Sequence, residues 1–263
     1  MNKWKKRKLP VKNSPNNSIK KDSVVILDFD GTIYRGICPF LFKGVANVDM
    51  ALYLLLFSPM RKSFLLFSRL FKLMLFQMNL RRRYKNGKIS LSDMDMILVK
   101  YFADNILSAC NNTIIEKAVS TISGMCYKGA LKFLEDHKNE CEFVIVSKSF
   151  EFLLEKVSLK LKEAHGVTTE FHGVKYDFAT GIDKENSVIS REKKFSITKD
   201  ILSQKTYLKK ATVIGDTEDD VAIMEAASEV LGKENVTFIS VSPKDNKITS
   251  ASDQSYNSWE DYL

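Results

Sequence analysis

Four short apolar runs with helical patterns between them constrain the fold most. They are Val24–Asp28 (VVILD), Glu142–Ser147 (EFVIVS), Ala211–Asp216 (ATVIGD) and Val236–Val241 (VTFISV). Continuous β-branched runs of this length suit strands of a parallel sheet covered on both faces. Lys128–His137 precedes the second run and Phe150–Lys162 follows it. Lys194–Leu202 precedes the third and Asp219–Val230 follows it. Strands alternating with helices predict an α/β fold, a Rossmann-like doubly wound parallel sheet. Ligand sites in such sheets form at the carboxyl ends of the strands. Asp28, Ser147 and Asp216 all fall there.

The long segment 37–122 breaks the alternation and reads as all-helical. Val48–Leu80 is strongly apolar, and Leu91–Phe102 and Ile114–Ile122 are amphipathic. The expected division is a basic disordered tail at 1–21, a catalytic domain at 22–36 and 123–263, and a helical insertion at 37–122. Pro59, Arg61 and Lys62 interrupt Val48–Leu80, which argues against one membrane span of roughly 20 apolar residues. Two readings stay open. The stretch forms two core helices of the insertion, or Ser63–Leu80 lies in a membrane interface with its basic residues at the surface. From Lys43 to Lys88 there are ten basic residues (Lys43, Arg61, Lys62, Arg69, Lys72, Arg81, Arg82, Arg83, Lys85 and Lys88) and a single acid, Asp49.

The net charge of +8 is a property of the tail. Lys3, Lys5, Lys6, Arg7, Lys8, Lys12, Lys20 and Lys21 account for all of it, with no acid among residues 1–21. The rest of the chain is balanced, so no nucleic-acid partner is expected. At 44% hydrophobic and 27% charged the chain reads as soluble and globular. The tail has no long apolar run and does not read as a secretory signal. It reads as a solubilising tail or as a weak tether to anionic lipid. Cys38, Cys110, Cys126 and Cys141 make no CxxC pair, and His137, His165 and His172 show no ligand spacing with them. Free thiols in a reducing compartment are expected. A cytoplasmic protein, with peripheral membrane contact as the open alternative, is the expectation.

The chemistry concentrates at strand ends. Asp28 and Asp30 project to the same side, because side chains recur with period two. Two close carboxylates hold a cation between them or share a proton. Gly31 lets the chain turn and lets amides approach an anion. Ser147 ends the second run with a hydroxyl. Glu192–Lys194 places a lysine before the third run. Lys194 puts Phe195, Ile197 and Ile201 on a buried stripe, and Lys193 is the alternative. Asp216 and Asp220 lie four apart, one helical turn if a helix starts there. Carboxylate oxygens suit a hard divalent metal. A phosphate monoester fits such a set: a nucleophile, a metal, a lysine and amides for the oxygens, and an acid for the leaving alcohol.

This order resembles the haloacid dehalogenase superfamily. Its motifs correspond to Asp28-Phe29-Asp30-Gly31-Thr32, to Phe143–Ser147, to Lys194 or Lys193, and to Gly215–Asp220. The insertion between the first two motifs is similar to that of the phosphoserine-phosphatase-like subfamily, whose helical cap closes over the site. The resemblance implies that Asp28 attacks phosphorus and that Asp30 protonates the leaving oxygen and then activates water. It implies Mg²⁺ held by Asp28, the Asp30 carbonyl, Asp216 and Asp220. It places Ser147, Lys194, the amides of Gly31 and Lys148, and Thr32 around the phosphoryl group. The implied substrate is a small or sugar-like phosphorylated metabolite. A lipid head-group phosphatase of the phosphatidylglycerophosphatase type at a membrane surface and a phosphotransferase are the alternatives. Phosphoserine phosphatases carry a glutamate nine residues after the nucleophile, where this chain has Ile37, and two glycines where it has Lys148 and Ser149. Serine phosphate is therefore not the expected substrate. Arg35 is a surface residue or a reader of a second anion.

Overall fold

The computed structural model describes residues 21–36, 46–182, 189–243 and 246–263. Ile37, Cys38 and the basic tail through Lys20, on which expectations from the sequence rest, lie outside the described residues.

Six parallel strands form one sheet: β1 (Ser23–Leu27), β2 (Cys141–Phe150), β3 (Thr169–Val174), β4 (Lys210–Gly215), β5 (Val236–Val241) and β6 (Gln254–Tyr256), in the order β3-β2-β1-β4-β5-β6. The chain leaves β1 toward β2 and β3, then returns to β4 on the other side. The strand order reverses between β1 and β4, which opens a crevice at their carboxyl ends. Leu27 pairs with both Ile145 and Ile214, so the ends of the three central strands are level. Val24 to Leu27 are almost fully buried, as a strand covered on both faces requires.

Two features of the sheet depart from expectation. β2 runs on to Phe150 rather than stopping at Ser147, and its pairing with β3 shifts register between Val146 and Phe150. Ser147 therefore sits at an irregularity just past the last β1–β2 pair, and the next helix starts at Glu151. The sheet also extends at both edges, through β3 and β6, which are less buried and more polar than the central strands.

The helices are α1 (Ala46–Phe57), α2 (Met60–Lys85), α3 (Leu91–Asn105), α4 (Asn112–Ile122), α5 (Lys128–His137), α6 (Glu151–His165), α7 (Arg191–Gln204), α8 (Val221–Leu231), α9 (Asn246–Ala251) and α10 (Trp259–Tyr262). α1 to α4 make up the insertion between β1 and α5. α4 buries Ile114, Ile115, Ala118, Val119 and Ile122, an i, i+4, i+8 stripe. The reading of α2 as a core helix needs correction. Only Leu66 and Leu80 of its 26 residues are buried. No helix among the described residues is long and apolar enough to cross a membrane.

Candidate active site

The site starts from a tight turn after β1. Gly31 takes φ 84°, and the amides of Ile33 and Tyr34 both return to the Phe29 carbonyl. Phe29 is fully buried and stacks on Tyr34, with ring centroids 5.3 Å apart. Alternation then turns Asp28 and Asp30 to the other side. The Gly31 N–H donates to the Tyr34 carbonyl at 3.3 Å and closes the turn. Below it, the Trp259 indole donates to the Thr32 carbonyl at 2.6 Å, so the C-terminal α10 braces the loop. Gly129 makes room for this, since a Cβ there would lie 2.4 Å from Trp259 Cβ. Thr32 is fully buried, and its hydroxyl meets no hydrogen-bond partner among the described residues.

Lys194, on the first turn of α7, is 2% exposed. Its Nζ lies 2.9 Å from Asp28 Oδ1 and 2.6 Å from Asp220 Oδ1. Lys193 is half-buried and away from these carboxylates; its amide is taken by the N-cap Ser190. The fully buried face of α7 runs through Lys194, Thr198, Ile201 and Leu202; Ile197 packs half-buried against the core, and Phe195 is half-buried. Asp220 ends a single 3₁₀ turn, Glu218–Asp220. Its Oδ2 accepts from the amides of Asp216 and Thr217 and from the Thr217 hydroxyl, each at 3.0 Å. The 3₁₀ turn thus folds Asp220 back under the strand end.

The electrostatics follow from burial. Desolvation pushes the Asp28 carboxyl up to about 6, against the pull of Lys194. Burial also opposes charge on Lys194, but Asp220 and Asp28 outweigh it and hold the ammonium above the ordinary lysine range. Burial works against Asp220 too, and Lys194 with the Thr217 donors brings its carboxyl below the ordinary value. Carboxylate oxygens of Asp28, Asp216 and Asp220 all lie within 4.8 Å of one another, and all three residues are buried. A close, all-oxygen donor set of this kind fits a hard divalent cation such as Mg²⁺.

Asp30 stands apart. Its Oδ1 accepts from the Ala46 N–H at 2.7 Å and its Oδ2 from the Ser149 hydroxyl at 2.8 Å. Its side chain is outside the carboxylate cluster, so any metal contact from this residue falls to its carbonyl. Ser147 is fully buried, and its Oγ accepts from the Ser149 amide at 3.3 Å. The Lys148 side chain is largely buried. It pairs with Asp95 on α3 and with Asp219 in the Asp220 turn. Burial disfavours the Lys148 charge, and these two acids overcome it and raise its pKa. Glu218 pairs with Arg191 and Lys247 at the surface, and Arg35 is exposed. Sequence reasoning misses Ser149, Asp95 and the Ala46 amide. Ser149 has a signal only in its nearness to Ser147; the others have none, because nothing local in sequence says what they will meet.

No curated protein matches the chain. Among solved structures, a protein of unknown function from Bordetella pertussis Tohama I superposes with a TM-score of 0.62 at 15% identity, over 91% of this chain and 100% of that one. Cytosolic 5'-nucleotidase IIIB bound to cytidine gives 0.58 at 12% identity, over 90% and 81%. A gene product of Archaeoglobus fulgidus gives 0.55 at 14% identity, over 89% and 77%. At these identities the likeness is one of fold. The profile of the haloacid dehalogenase-like hydrolases matches residues 25–225, from β1 into α8 and across every carboxylate described above, and the chain belongs to that family.

Proposed function

We propose that the chain is a Mg²⁺-dependent phosphomonoester hydrolase acting through an aspartyl-phosphate on a small or sugar-like phosphorylated metabolite. The observation that carries this reading is the contrast between two carboxylates two residues apart in the chain. Asp28 lies in the cluster against Lys194, whereas Asp30 is held separately by Ser149 and Ala46. This contrast supports attack by the first and proton transfer by the second.

In the first step an Asp28 oxygen forms a bond to phosphorus. The ester P–O bond breaks, and the leaving oxygen takes a proton from Asp30. In the second step Asp30 accepts a proton from water, the water oxygen bonds to phosphorus, and the Asp28–phosphorus bond breaks. Asp30 needs a partner in both protonation states. The Ser149 hydroxyl supplies one, since it donates to the carboxylate and can turn to accept from the acid. Lys194 fixes the rotamer of Asp28 and offsets charge as the phosphate arrives. Mg²⁺ bound by Asp28, Asp216 and Asp220 would neutralise the phosphoryl oxygens.

The family name also admits carbon–halogen hydrolysis. A halide leaves without a proton, so the separate seat built for Asp30 favours an alcohol leaving group. The fold shared with a 5'-nucleotidase puts nucleoside monophosphates beside sugar phosphates among the compounds to try. The test is a panel of phosphate esters, p-nitrophenyl phosphate included, assayed with Mg²⁺. Turnover that disappears in Asp28→Asn is expected. A wild-type protein inert on the whole panel would overturn the reading.

A further inference from the structure

The helix α2 exposes an apolar stripe that the described residues leave uncovered. Met60, Phe64, Phe67, Phe71, Met74 and Met78 recur at steps of four and three, and Phe64 is 78% and Met60 89% exposed. Leu66 and Leu80 face the other way, into the protein. Phe76 meets Tyr101 of α3 at 5.3 Å, and Arg69 donates to the Asn105 carbonyl at 2.7 Å. The inner side of α2 is thus seated, and its outer side presents a stripe about 27 Å long at 1.5 Å per residue. Contiguous exposed apolar surface of this size marks an interaction site.

Charge identifies the partner. Arg61, Lys62, Lys72, Arg81, Arg82, Arg83, Lys85 and Lys88 are all exposed. The only acid between residues 46 and 88 is Asp49, which is buried under Tyr34. At 100° per residue, Arg61 and Lys72 lie roughly 100–120° from the stripe, on its flank. Arg82 and Lys85 continue the stripe at its end. A second copy of this chain would set these cations against one another with no acid to pair, in either orientation. Nucleic acid stacks its bases on aromatic platforms along a basic groove, and a convex helix face on which methionine makes up half of the stripe offers neither. A surface with an apolar interior and an anionic rim satisfies both features.

We propose that α2 docks the protein on anionic lipid, with the Phe64–Phe67–Phe71 stripe entering the acyl boundary and the basic residues meeting head-group phosphates. The inference does not depend on the catalytic reading. The test is co-sedimentation of the full chain with phosphatidylcholine vesicles containing phosphatidylglycerol, at about 0.15 M salt. Pelleting is expected, weakened about tenfold or more on pure phosphatidylcholine. The basic residues of 1–21 offer such vesicles a separate contact, so the decisive variants lie in the helix. Phe64→Ser with Phe71→Ser and Met78→Ser should keep the wild-type melting temperature and lose most of the binding. Phe71→Trp should show an emission shift to the blue on vesicle addition, beyond any change of the unsubstituted protein. Binding unchanged in the triple variant, no such shift from the Phe71→Trp variant, or a dimer through α2 with no vesicle binding would each overturn the proposal.

Discussion

The Tyr34 hydroxyl donates a 2.7 Å hydrogen bond to Asp49 Oδ2, and both side chains are buried. Tyr34 lies four residues after Asp30, and Asp49 three after Ala46. The Asp30–Ala46 and Tyr34–Asp49 bonds are therefore two parallel struts between the loop after β1 and the first turn of α1. Burial, reinforced by Asp49, drives the Tyr34 phenol far above its ordinary pKa, so the strut stays protonated at any working pH.

Tyr34→Phe removes one strut and leaves the ring in place. A buried hydrogen bond to a charged group contributes about 1.5–3 kcal/mol. A chain of this size should lose about 2–4 °C of melting temperature per kcal/mol. Activity should fall several-fold as well, because the start of α1 carries the amide that holds Asp30. Thermal melts and steady-state rates on p-nitrophenyl phosphate check both effects. A stability loss with no change in rate would show that the struts act independently.

Gly215 permits the fold-back of Asp220. A Cβ at this position would lie 2.5 Å from both Asp220 Cβ and Oδ2. Gly215→Ala should push the carboxylate off the Asp216 and Thr217 amides and away from Lys194. Displacement of about 1 Å in a catalytic constellation can cost about 100-fold in rate. The same shift should weaken Mg²⁺ binding, read by calorimetric titration of the metal into the variant. Wild-type metal affinity would show that Asp220 supports Lys194 alone.

The limits of sequence reading follow from these contacts. β1, β2, β4 and β5 are legible because strands buried on both faces need continuous β-branched runs. β3 (TEFHGV) and β6 (QSY) are not, since an edge strand with one neighbour tolerates polar residues. Asp28, Lys194, Asp216 and Asp220 carry their types and spacing in the sequence, and the folded chain brings them together. Composition shows that α2 is apolar but not which face is covered, so a core helix and an interfacial one both stay open in the sequence. The partner of Lys148 depends on where α3 packs, and no local pattern encodes that.

Glu170 gives the pH dependence at the sheet edge. A hydrogen bond from His172 is the largest influence that holds its carboxyl at about 2, down from 4.5, and Lys205 adds to it. A depressed acid stabilises the fold above its unfolded pKa and loses that contribution as pH falls through the folded one. The window here runs from about 4.5 down to about 2. Glu170 is 39% exposed, so screening limits the effect to about 1 kcal/mol. Glu170→Gln should melt below wild type at neutral pH and match it near pH 2. A constant gap across the window would mean that the side chain acts through packing.

Lys148 joins Asp95 of α3 to Asp219 beside the carboxylate cluster, and these three side chains are between 13% and 26% exposed. Its position makes it a clasp between the helical insertion and the site. Lys148→Met should raise KM more than it lowers kcat, because the insertion is held less firmly over the bound substrate. Asp95→Asn should reproduce much of that change, as it cuts the same link from the other end. The double variant should be no worse than Lys148→Met alone, a coupling of about 1 kcal/mol for partners in one network. A side chain that bound the phosphate directly would instead lower kcat on every substrate and be insensitive to Asp95. Steady-state kinetics on the four proteins of this cycle separate the two, and hydrogen exchange across Leu91–Asn105 should quicken in both single variants if the clasp holds α3 in place.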